Sequence, residues 1–133
     1  MFSSLFLHGS NNLEQASYDE PMRHWSEGVA RQYLEKQGCQ VLAENYYLRD
    51  AEVDLIIEDG NVLVFVEVKQ RTNDRYGTPA EAIDTRKVLR LQRAALQYMS
   101  QEHGRDDLPL RFDAVLIMGS RNNYRLEHLK AVF

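Results

Sequence analysis

Apolar residues fall at helical spacing in two stretches of the chain and at strand spacing in five. Over residues 22–37, Trp25, Val29, Ala30, Tyr33 and Leu34 recur on one helical face, and Gly38 follows as a stop. Residues 41–48 suit a strand. Residues 52–58 and 62–70 are β-rich runs joined by the turn Asp59-Gly60-Asn61, which predicts a hairpin. The polar stretch 72–79 reads as a loop. A second helix is predicted from Thr85, a plausible N-cap, to about residue 102. It carries Val88, Leu91, Ala95 and Met99 on one stripe, and Arg86, Arg90, Arg93 and Gln97 on another. Residues 110–118 alternate as a strand, and a turn leads into a last short strand around 124–129. The order α-β-β-β-α-β-β predicts an α/β fold, a mixed β-sheet flanked by helices.

Residues 1–20 are polar, lack periodicity and contain Gly9-Ser10-Asn11-Asn12, so they are expected to form a flexible N-terminal extension before one domain spanning 21–133. The opening residues 1–7 are too short for a signal core and have no preceding Lys or Arg. No apolar run approaches the ~20 residues that span a bilayer. A non-membrane, cytoplasmic protein is expected. The single cysteine, Cys39, has no internal disulfide partner and no Cys/His cluster around it, which fits a reducing compartment and a small core side chain. His8, His24, His103 and His128 are scattered without metal-ligand spacing and receive no role.

The run Val62-Leu63-Val64-Phe65-Val66-Glu67-Val68-Lys69 changes the picture, because an apolar strand ends in a carboxylate and an ammonium. Strand side chains alternate, so Leu63, Phe65, Glu67 and Lys69 share one face. The hairpin would carry Asp54 back toward Glu67. Two carboxylates able to share a divalent cation, with a lysine beside them, are the groups that metal-assisted phosphodiester hydrolysis needs. An exposed Glu/Lys pair would be worth under about 1 kcal/mol and nothing more. Charges embedded in a buried strand call for a partner or a metal.

The net charge of −4 argues against a protein that coats nucleic acid non-specifically. Its distribution is uneven, however. Lys69, Arg71, Arg75, Arg86, Lys87, Arg90 and Arg93 follow the candidate site, against only Asp74, Glu81 and Asp84 in the same stretch.

Asp54 followed by Glu67-Val68-Lys69 resembles the Asp…Glu-x-Lys core of the restriction-endonuclease-like nuclease superfamily. More closely, the chain is identified as a member of the bacterial YraN family, uncharacterised proteins related to archaeal Holliday-junction resolvases. The residues that carry this are Ser26-Glu27-Gly28-Val29-Ala30, Glu52-Val53-Asp54-Leu55-Ile56, Val64-Phe65-Val66-Glu67-Val68-Lys69-Gln70-Arg71, Tyr76-Gly77-Thr78-Pro79 and Arg111-Phe112-Asp113-Ala114-Val115. Ala51 stands where the family usually has glycine.

The resemblance implies a restriction-endonuclease-like fold and a nuclease that hydrolyses DNA phosphodiester bonds, including those of branched or irregular structures. It implies Asp54 and Glu67 as ligands of Mg²⁺ or Mn²⁺ together with the Val68 carbonyl, Lys69 as the group that assists the attacking water, and Glu27 as a further carboxylate. Arg71, Arg75, Tyr76, Lys87 and Arg90 are candidate nucleic-acid contacts. Symmetric cutting of two strands would suit a homodimer. Glu52 reads as an outer ligand or as a partner for Arg49 or Arg71, and Asp113 as a structural group or a site residue. The alternative reading is a non-catalytic nucleic-acid-binding or adaptor protein that retains the nuclease fold.

Overall fold

The longest β-branched and aromatic run of the chain becomes an interior strand, paired on both sides. The computed structural model describes residues 4–9, 24–47, 51–72, 85–103 and 108–132. Its elements are β1 (Ser4–Gly9), α1 (Trp25–Lys36), β2 (Gln40–Tyr47), β3 (Glu52–Asp59), β4 (Val62–Arg71), α2 (Thr85–Gln97), β5 (Leu110–Ser120) and β6 (Asn123–Leu129). A π-helical turn, Tyr98–His103, prolongs α2. One six-stranded sheet has the order β1-β6-β5-β4-β3-β2. Only β4 and β5 run parallel, as a strand-helix-strand crossover through α2 requires; the other pairs are antiparallel.

The two helices cover opposite faces. Val29, Ala30, Tyr33 and Leu34 of α1 pack on Leu55, Ile57, Val64, Val66, Val115 and Ile117. Leu91, Ala94 and Ala95 of α2, with Tyr98 and Met99, pack on Ile56, Leu63, Phe65 and Phe112. Coverage on both sides is why β4 reads as a continuous apolar run rather than an alternating one. Complete burial of side chains such as Ile56 and Phe65 contributes about 1.5–3 kcal/mol each. Tyr98 stands edge-on to Phe65 and to Tyr46, which ties the π-helical turn to β4 and β2.

The mixed sheet flanked by helices is the α/β arrangement expected from the sequence, with close agreement in element order from Trp25 onward. Residues 4–9 differ from expectation. They were expected to belong to a flexible extension, yet their backbone forms β1 along β6, from Ser4 opposite Leu129 to Gly9 opposite Tyr124. Cys39 is buried in the α1 layer, as expected. Among the described residues, no helix is long and apolar enough to cross a membrane.

Candidate active site

The hairpin register places the candidate carboxylates side by side. Pairing between β3 and β4 runs from Asp59 opposite Val62 to Leu55 opposite Val66, and the next positions along are Asp54 and Glu67. There a side chain takes over from the backbone ladder: the Val68 N–H donates to Asp54 Oδ2 at 2.8 Å. Glu67 is 4% exposed. Its Oε2 receives two ammonium groups, Lys69 Nζ at 3.3 Å and Lys87 Nζ from the first turn of α2. A buried carboxylate without such partners would be strongly unfavourable.

The charges shape one another. Burial first, and then the negative charge of Glu67, push Asp54 up to about 8, against the pull of the Val68 hydrogen bond. Glu27 and Glu52 push it in the same direction. Burial lowers the pKa of Lys69, and the adjoining Lys87 lowers it further. For Lys87 burial is the largest single influence and acts downward too, but the hydrogen bonds to Glu67 and Lys69 and the negative charges of Glu67 and Asp54 together outweigh it and the pKa is raised.

An outer acidic group adjoins this cluster. Asn45, opposite Asp54 where β2 meets β3, has a left-handed backbone with φ 50°. Its surroundings orient the amide: Nδ2 donates to Glu52 Oε2 at 3.0 Å and to Glu27 Oε1 at 3.3 Å. The Tyr47 hydroxyl also bonds to Glu52. Glu27 from α1 is thereby fastened beside the strand that carries Asp54.

The structure thus brings together Asp54, Glu67, Lys69 and the Val68 backbone, and sets Glu27 at the border of the group. Lys87 was expected as a phosphate contact; here it reaches into the cluster and binds Glu67. Glu52 bonds Asn45 and Tyr47. Arg71 donates to the Gln70 carbonyl at 2.9 Å. Arg90 lies on the outer face of α2 beside Arg86 and Leu89. Arg75 and Tyr76 lie outside the described residues.

Asp113 is fully buried at the centre of a separate network. It accepts from Arg111 Nε at 2.9 Å and from the Ala131 N–H at 3.0 Å, and lies 2.8 Å from His128 Nε2. His128 Nδ1 in turn meets the Tyr33 hydroxyl at 3.0 Å, so this histidine has the structural role that spacing along the chain did not reveal. The only sequence signal for it is an inward position on an alternating strand.

Among the described residues, no group of three or more His, Cys, Asp or Glu forms a metal cluster. Asp54 and Glu67 offer two hard carboxylates with a backbone carbonyl next in the chain. Mg²⁺ and Mn²⁺ accept such a sparse oxygen set because they keep several waters, so the donor chemistry fits them. Without sulfur or imidazole donors it does not suit structural zinc.

A mixed sheet flanked by two helices, with two carboxylates and a lysine gathered on neighbouring strands, is consistent with a restriction-endonuclease-like α/β protein. Residues 26–117 match the model of a family described as Uncharacterised protein family UPF0102. The chain belongs to that family, the one identified from sequence as YraN. It is 43% identical over 109 residues to a UPF0102 protein of Pelotomaculum thermopropionicum, an alignment covering 80% of this chain and 90% of the relative. A Thermus thermophilus UPF0102 protein is 45% identical over 105 residues, 79% of this chain and 90% of the relative. One from Neisseria gonorrhoeae is 43% identical over 95 residues, with 71% and 82% covered.

Proposed function

We infer that the chain is a metal-dependent nuclease that hydrolyses DNA phosphodiester bonds. The observation that carries this reading is the convergence of Asp54 and Glu67 at the β3/β4 register, with Lys69 on the Glu67 carboxylate. Asp54, Glu67 and the Val68 carbonyl would hold Mg²⁺ or Mn²⁺. Such an ion polarises a phosphoryl oxygen and makes a nucleophile of its bound water. Lys69 orients the attacking water and stabilises charge developing on the phosphate. Burial of Glu67 keeps the field of these groups strong by excluding bulk water. Arg71, Lys87 and Arg90 are the proposed phosphate contacts among the described residues, and paired cuts in branched DNA would call for a homodimer.

A second reading has its own support. Glu67 already carries two ammonium partners, as a self-contained structural ion cluster would, so the chain would then bind nucleic acid or act as an adaptor without cutting.

The test is incubation of linear, single-stranded, flap and four-way-junction DNA with the protein in Mg²⁺, Mn²⁺ or EDTA. Cleavage is expected to require metal, to disappear in Asp54→Asn, and to fall about 10²–10⁴-fold in Lys69→Ala while DNA binding persists. Metal-independent binding without cleavage of any substrate would favour the second reading.

A further inference from the structure

Two ammonium groups on one carboxylate oxygen is an unusual allotment. Lys69 is carried by β4 itself, two residues beyond Glu67 on the same face of the strand. Lys87 arrives from a different element, the first turn of α2, and its side chain is more exposed, 29% against 20% for Lys69. A lysine's long, flexible stem lets its charged head change partner without moving the helix that carries it.

The charges set what can coexist. Glu67 alone already faces two ammonium groups, Lys69 and Lys87, so its charge is fully compensated before any metal arrives. A divalent cation on Glu67 would face two ammonium groups at contact range in a buried setting, where repulsion is poorly screened. One of them must withdraw.

We propose that Lys87 is an exchangeable internal counter-ion, holding Glu67 until a divalent metal displaces it and then turning its freed ammonium to a substrate phosphate. The inference rests on the nuclease reading above and deepens it. Metal and phosphodiester then reinforce each other through one side chain: the metal expels Lys87 from Glu67, and a phosphate gives the expelled charge a partner. By linkage each ligand raises affinity for the other by the same factor. The same contact keeps the buried carboxylate compensated when no metal is bound.

The experiment is calorimetric titration of the full chain with Mn²⁺ alone, using wild type, Lys87→Met, Lys87→Gln, Asp54→Asn and Glu67→Gln, each checked for native circular dichroism. Loss of the competing ammonium is expected to tighten Mn²⁺ binding about tenfold in Lys87→Met and Lys87→Gln, a coupling of ordinary size. Asp54→Asn and Glu67→Gln are expected to lose Mn²⁺ binding. If those two losses occur but either folded Lys87 variant binds Mn²⁺ no more tightly than wild type, the counter-ion role is overturned and the metal site stands. If wild type takes up no Mn²⁺, or Asp54→Asn and Glu67→Gln bind it undiminished, the metal-site reading and the counter-ion role fall together. A merely structural Lys87 would lower the melting temperature and leave the Mn²⁺ affinity where it was.

Discussion

The backbone N–H of Val68 donates to the carboxylate of Asp54 across the hairpin, at 2.8 Å. A main-chain donor fixes the acid's position more firmly than a side chain would, because β4 is held by partners on both sides. The same strand therefore supplies the buried Glu67, its lysine neighbour and the clamp on Asp54.

Asp54 is expected to make stability depend on pH in the direction opposite to a salt-bridged acid. Its pKa rises from 3.8 to about 8 on folding, so between those values the folded chain holds a proton that the unfolded chain has lost. Stability therefore falls as pH rises through that window. Asp54→Asn keeps an acceptor for Val68 and removes the charge. Urea denaturation should find the variant more stable than wild type at pH 8, by on the order of a few kcal/mol, with the difference vanishing near pH 4. A variant less stable at pH 8 would contradict this.

The buried network predicts the opposite pH trend. Burial alone would raise the Asp113 pKa, but the bonds from His128, Arg111 and Ala131 outweigh it and hold it below 3.8. Its contribution is present above the ordinary carboxylate range and is lost as pH falls through the depressed value. Replacing His128 by Ala takes one partner from Asp113, which keeps Arg111 and Ala131, and removes the partner of the Tyr33 hydroxyl, and should lower stability by about 2–4 kcal/mol at pH 7. Equilibrium unfolding measures it, and a change below about 0.5 kcal/mol would mean that the network is not cooperative.

Gly119 is expected to tolerate no side chain. Its φ of 124° lies where L-residues are strained, and a Cβ there would come within 2.4 Å of the Asn123 carbonyl oxygen. Its own carbonyl accepts from Gln70 Nε2 at 2.7 Å, next to the Lys69 end of β4. Gly119→Ala should cost about 2 kcal/mol or more in thermal or urea unfolding; an unchanged midpoint would show that the β5/β6 turn relaxes freely.

The strands and the two helices were legible because their patterns are regular, and the hairpin turn sufficed to bring Asp54 to Glu67. What escaped depends on side-chain direction or on irregular backbone. Lys87 belongs to a helix whose basic residues look alike in sequence, and only its place in the first turn of α2 aims it at Glu67. Asn45 interrupts a strand with a left-handed residue, and no alternation rule foresees a bridge from there to Glu27 and Glu52. For β1, the short run Leu5-Phe6-Leu7 was the available signal, outweighed by the polar residues after it. His128 looked isolated because its partners, Tyr33 and Asp113, lie on other elements of the fold.

The irregularity of β2 reaches beyond the site. This strand is one rim of the sheet, and a register shift between Val41 and Ala43 and the left-handed Asn45 interrupt its eight residues. A stray strand zips onto a rim only where outward amide and carbonyl groups keep an even beat. Broken at two points, this rim makes a poorer template, so the bend that delivers Asn45 to the acids also works against edge-to-edge pairing.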